Sequence, residues 1–241
     1  MKILAATAEF GNRNTTKIIR AALSDYADVK VFSNMPNSFS YPNMIPINSS
    51  PSSEFSIEKY APYIYAHRMF FANEVENYDY FLHIENDVLL RKRTLDNWIK
   101  TSSSMEENKV LGFIRSEHGQ LIDIASYLEA GVPAISAINK KDKQFILNNM
   151  NQSCYILTRK QLKKCLSSGN YLIHPSCRGG YGPVETAASN VFFECGLTRV
   201  FPFENLENCL VEHLDTKYIL AQKPYTLDNL YSDLEKLKNE H

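Results

Sequence analysis

The first 32 residues constrain the fold most tightly, because they read strand, loop, helix, strand. Lys2 to Thr7 is an apolar run suited to a buried strand. Asn14 or Thr15 is placed to cap a helix, and Ile18, Ile19, Ala22, Leu23 and Tyr26 then recur at helical spacing. Val29 to Phe32 forms a second strand. This order is the opening of a doubly wound sheet, so the expected class is α/β: a Rossmann-type mixed sheet flanked by helices, in one domain. Such sheets bind ligands outside the carboxyl ends of their strands, which makes the loop Ala8 to Arg13 a place where a nucleotide can sit. That loop has one glycine, Gly11, and no GxGxxG, so a dinucleotide cofactor is disfavoured.

The segment Tyr80 to Leu90 carries two acids, Glu85 and Asp87, inside an otherwise apolar, strand-like run. Successive strand side chains point to opposite faces, so acids at i and i+2 are expected to leave the chain on one side. A buried carboxylate without a partner costs several kcal/mol, about the worth of a large fraction of a domain's stability. Such a pair therefore belongs at a strand end, facing solvent, a cation or a ligand. The helix before it, read from Glu58 to Asn77 with a break near Pro62, carries His67 and Arg68; these fit either a solvated surface or contact with a diphosphate.

Apolar residues make up 44% of the 241 and charged residues 22%, with a formal net charge of -1, which argues against a general nucleic-acid binder. The apolar start is broken by Glu9 and is too short for a signal peptide or a membrane span. No transmembrane segment is expected. The five cysteines form no CxxC and are odd in number, which excludes a complete disulfide framework and fits a reducing cytoplasm. Residues 33–56 lack periodicity and read as a long covering loop. Asn151 to Leu157 reads as a strand entering a helix capped at Thr158, and the tail from Thr226 as a helix with Leu227, Leu230, Leu234 and Leu237 on one face. Gly119 to Asp142 fits no single element.

Two later segments bear on chemistry. Arg178 to Asn190 is a glycine-rich stretch running through Pro183 into a helix, with Glu185 in its first turn and Glu194 further along. An acid at that position serves either as a helix-dipole partner or as a catalytic base. Cys209 to Lys217 places His213 in an alternating apolar stretch, where a histidine is either a core residue or a ligand.

Hydrophobic strand followed by acid-x-acid, here Glu85-Asn86-Asp87, resembles the metal-binding signature of nucleotide-sugar-dependent glycosyltransferases of the GT-A fold. There is a fainter likeness to the small members that glycosylate capsid proteins of large algal viruses. The resemblance implies Mn²⁺ or Mg²⁺ held by Glu85, Asp87 and His213. Glu replaces the usual first Asp, which makes Asp87 the firmer ligand. It implies a nucleotide-sugar donor held by Thr7, Ala8, Glu9, Arg13, Arg68, Asn86 and Lys217, and a glycan or glycoprotein acceptor. Catalysis falls to Asp87 and to Glu185 as general base, giving inversion. The nucleotide-sugar half is expected over about residues 1–115 and the acceptor half over about 116–241. A nucleotidyltransferase of similar fold is the nearest rival, although the Gly-rich basic N-terminal signature usual in that class is absent. A glycoside hydrolase would hold its carboxylates about 5–9.5 Å apart across the sugar. A non-catalytic carbohydrate-binding protein also fits, since an aromatic share of 12% suits sugar stacking as well as an ordinary core.

Overall fold

Leu4, Ala5 and Ala6 are completely buried, as befits a strand covered on both faces at the middle of a parallel sheet. They belong to β1 (Ile3–Glu9). A computed structural model of the chain describes residues 1–9, 13–33, 44–46, 66–129, 131–148, 154–172, 194–214 and 224–239. The chain divides into two compact units: Met1–Asp87 with Gln152–Leu197, and Val88–Asn151 with Thr198–His241. Both sequence halves, 1–115 and 116–241, contribute to both units.

The first unit is built on a five-stranded sheet in the order β11-β4-β1-β2-β3. Its strands are β1, β2 (Asp28–Ser33), β3 (Met44–Pro46), β4 (Tyr80–Ile84) and β11 (Cys154–Thr158). The first four run parallel and β11 pairs antiparallel with β4 at the edge. Helix α1 (Arg13–Leu23) connects β1 to β2 as expected. It starts one residue before Asn14, so the expected caps lie inside its first turn. Residues 66–73 are helical (α2) and turns follow to Asn77, while 58–65 lie outside the described residues. Phe71 and Phe81 meet edge-on at 5.4 Å, which packs α2 against β4. Helix α5 (Arg159–Ser167) has the expected start: Thr158 Oγ1 accepts from the Gln161 amide at 3.2 Å, and Gln161 Oε1 accepts from the Thr158 amide at 2.9 Å. That reciprocal pair satisfies two donors that a helix start otherwise leaves open.

The second unit holds two four-stranded sheets, ordered β6-β12-β10-β9 and β5-β13-β7-β8. The first comprises β6 (Lys109–Leu111), β9 (Ile135–Asn139), β10 (Gln144–Leu147) and β12 (Thr198–Pro202); the second comprises β5 (Val88–Leu89), β7 (Ile114–Glu117), β8 (Gln120–Leu121) and β13 (Leu210–His213). Helix α3 (Lys92–Ser102) buries Trp98, whose indole donates to the Leu111 carbonyl at 2.8 Å. The stretch that fitted no single element resolves into β8, helix α4 (Ile122–Glu129) and β9. His118 and Gly119 join β7 to β8 with φ of 46° and 82°, the left-handed pair that a two-residue hairpin turn requires. The C-terminal helix α6 (Leu227–Asn239) buries Leu230 and Leu234, two of the four leucines expected on its inner face.

Candidate functional site

From β1 the chain adds β2 and β3 on one side of the first sheet, then returns to place β4 on the other side. The strand order thus reverses between β1 and β4, and a crevice opens outside the carboxyl ends at such a reversal. Ala6 pairs with His83, so the last three residues of β1 run alongside the end of β4. Three of the expected site residues, Thr7, Ala8 and Glu9, are these last three.

Glu85, Asn86 and Asp87 follow β4 directly. They do not leave one strand face, which corrects the expectation from strand alternation: β4 stops at Ile84, Asn86 and Asp87 form a turn, and β5 belongs to another sheet. All three residues are half-buried. Asn86 Nδ2 donates to Thr16 Oγ1 at 3.4 Å, a long bond that ties the acid turn to the first turns of α1. The acid turn is therefore anchored at the carboxyl edge of the sheet.

On β1, Thr7 and Glu9 are 1% and 3% exposed and share one face of the strand. Glu9 Oε1 accepts from the Ser33 hydroxyl at 3.2 Å, a contact set by the Glu9–Ser33 register of β1 and β2. Glu9 Oε2 and Thr7 Oγ1 are buried and have no hydrogen-bond partner among the described residues. Most buried polar atoms are satisfied, since each orphan costs about 1–3 kcal/mol. These two orphans lie on one strand face, at the carboxyl end of the sheet.

Behind this edge lies an aromatic and cationic interior. His67 stacks on His83 with centroids 3.9 Å apart, and His67 Nε2 lies 2.7 Å from the Tyr155 hydroxyl. Burial, with the nearby Arg68 guanidinium, depresses His83 to about 3. Arg68 is completely buried, donates to the Tyr171 carbonyl at 3.1 Å and lies 5.3 Å from the centre of the Tyr171 ring. The surface reading of His67 and Arg68 is overturned: α2 turns both inward, where ring stacking and the Tyr171 carbonyl hold them.

In the second unit, His213 Nδ1 lies 2.7 Å from Glu117 Oε1, and both side chains are buried. Glu117 thereby fixes the orientation of the imidazole, as carboxylates do for histidines that ligate metals or move protons. His213 lies opposite Val88 in the β13–β5 pairing and lines a cleft of about 430 Å³ that also contains Arg91, Arg93, His118 and Glu212. Arg91 and Glu212 form an ion pair at its rim.

Glu185 and Lys217 lie outside the described residues, as does the side chain of Arg13, whose backbone opens α1. Glu194 stands in a turn, its carbonyl accepting from Asn170 Nδ2 at 2.7 Å. Among the described residues no three His, Cys, Asp or Glu side chains converge on one metal position. Sequence reasoning missed Ser33, Thr16 and Glu117. Ser33 had a signal, as the residue level with Glu9 at the end of the next strand; a lone buried Glu117 had none.

The described structure is thus an α/β chain whose acids and orphaned oxygens gather at the carboxyl edge of a mostly parallel sheet. No protein-family model matches the sequence, and no curated protein matches it significantly. Among solved structures, the chain is similar to a glycosyltransferase involved in the glycosylation of the major capsid of PBCV-1, at 10% identity over 98% of this chain and 100% of that one, with a TM-score of 0.43. It is also similar to 4-diphosphocytidyl-2C-methyl-D-erythritol synthase, at 13% identity over 98% of both chains, with a TM-score of 0.38. The chain's own residues carry the functional reading. Among the described residues no helix is long and apolar enough to cross a membrane.

Proposed function

We propose that this chain transfers a glycosyl group from a nucleotide-diphosphate sugar to a hydroxyl of a glycan or glycoprotein acceptor. The observation that carries the reading is the placement of Glu85 and Asp87 at the end of β4, beside the orphaned Thr7 and Glu9 oxygens at the end of β1. The acids suit a cation that also binds phosphate, and the β1 oxygens suit the uncharged nucleoside end of the same donor.

Carboxylate oxygens are hard ligands, and Mg²⁺ or Mn²⁺ commonly takes one or two of them with substrate phosphates completing the shell. Asp87, with Glu85 beside it, would hold such an ion. When bound, the ion would offset the negative charge that develops on the departing diphosphate. Asn86, tied to Thr16, keeps the acid turn against α1. Glu185 is assigned as the base: it takes the acceptor O–H proton while the acceptor oxygen bonds to the anomeric carbon and the bond to the diphosphate oxygen breaks, with inversion. Lys217 is assigned to the diphosphate. In the second unit the Glu117 partner of His213 supports an imidazole held for ligation or proton transfer.

The test is to incubate the protein with a panel of nucleotide-sugars, and separately with nucleoside triphosphates and sugar phosphates, each with Mn²⁺ or with a chelator, and identify the products. Release of nucleoside diphosphate only when the metal is present supports the reading. Release of pyrophosphate from a nucleoside triphosphate and a sugar phosphate would replace it with nucleotidyl transfer, and no release of either would leave a carbohydrate binder.

A further inference from the structure

The orphaned oxygens at the end of β1 go beyond marking a nucleotide site, because they restrict which group can sit there. Glu9 Oε2 is buried, unpartnered among the described residues, and fixed by the bond from Ser33 to its sister oxygen. A carboxylate accepts hydrogen bonds and donates none, so a hydrogen-bond partner for it is an N–H or O–H group. Phosphate oxygens are excluded, since two anions in a desolvated place repel strongly. Thr7 Oγ1, two residues earlier on the same face, can accept or donate and tolerates either polarity.

Resting on the reading of a nucleotide-sugar donor, we infer that Glu9 accepts a pair of adjacent donors from the nucleoside. Guanine presents such a pair, N1–H beside the N2 amino group, and the lone pairs left on the two Glu9 oxygens match it. Uracil does the opposite: its single N3–H is flanked by two carbonyl oxygens that face the carboxylate unfavourably. Adenine and cytosine each put a ring acceptor beside one amino group. The vicinal hydroxyls of a ribose offer the same donor pair from a second source. The chemistry Glu9 selects is therefore paired donors, and the Ser33 hydroxyl, by donating to Oε1, keeps the carboxylate oriented for it.

A buried carboxyl retained for a ligand has a further consequence. It burdens the ligand-free protein, so replacing it with an isosteric amide leaves the thermal midpoint unchanged or raised, whereas a structural carboxyl would leave it lowered.

The experiment is calorimetry in Mn²⁺ with guanosine diphosphate, uridine diphosphate and 2′,3′-dideoxyguanosine diphosphate, on the parent protein and Glu9→Gln. If the base supplies the donors, the parent binds both guanine ligands about 10- to 100-fold tighter than the uridine ligand, as a charge-assisted bond implies, and Glu9→Gln erases the preference. If the ribose supplies them, the parent binds the two ribonucleotides alike, loses a similar factor with the dideoxy ligand, and Glu9→Gln erases that difference. Either result upholds the inference. Equal affinity of the parent for all three ligands overturns it without any variant, and so does a Glu9→Gln protein that binds each as the parent does; both leave nucleotide binding itself intact. A parent that binds none of the three overturns this inference, and the nucleotide-sugar panel then decides the donor reading separately.

Discussion

Asp87 sits in a turn three residues beyond the end of β4, half-buried and held near α1 through its neighbour Asn86. Asp87→Asn keeps shape and removes charge, so the fold should persist while turnover falls by about 10²–10³-fold, the scale of losing one electrostatic stabiliser of a transition state. Calorimetry should show nucleotide binding that no longer depends on Mn²⁺; unchanged metal dependence would remove Asp87 from the site. His83 makes an independent prediction about stability. Its folded-state value of about 3 lies below the ordinary 6.5, so the unfolded chain takes up the proton first as pH falls. The stabilising contribution is complete above pH 6.5 and is lost progressively toward pH 3, amounting to about 2 kcal/mol by pH 5. His83→Phe keeps a ring against His67 and should flatten that part of the pH dependence in denaturant titrations at pH 7 and pH 5. An equally steep loss in the variant would assign the effect to other groups.

At the scale of elements, the capping box at Thr158 is the clearest local device. Thr158→Ala removes the acceptor for the Gln161 amide and should cost about 1 kcal/mol, measurable as a lower midpoint in chemical unfolding at unchanged slope. No change would mean that tertiary packing of α5 fixes its start alone. The sequence made this helix legible because Thr and Gln at that spacing act locally, and β1, α1 and β2 were legible for the same reason: periodicity is a local signal. The end of β4 was not. Tyr80 to Leu90 is one apolar run, yet Val88 leaves the first sheet because it pairs with His213, far away in sequence. Long-range pairing of this kind overrides local propensity. The β7–β8 turn was hidden for a different reason, since His118 occupies a left-handed position where Asn or Asp is the usual cue.

At the scale of the whole molecule, the strand order gives the functional reading its place. Glu85 and Asp87 were visible as charges in an apolar run, and Glu9 as the acid that breaks the apolar start, although the loop expected from Ala8 is the end of β1, which runs to Glu9. The hydroxyls that hold the edge together, Thr16 and Ser33, were not, because Ser and Thr are common, and only the tertiary fold brings Thr16 to Asn86 and only the β1–β2 register brings Ser33 to Glu9. The most direct measurement follows from this placement. Mn²⁺ is paramagnetic and broadens nearby amide resonances, so titrating it into labelled protein saturated with a nucleoside diphosphate locates the bound ion. Broadening should centre on the amides of Glu85, Asn86 and Asp87, extend to Thr7–Glu9 at the end of β1, and vanish in Asp87→Asn. Broadening that leaves the ends of β1 and β4 untouched, or that persists unchanged in Asp87→Asn, would contradict a divalent ion and nucleotide at the carboxyl edge of this sheet.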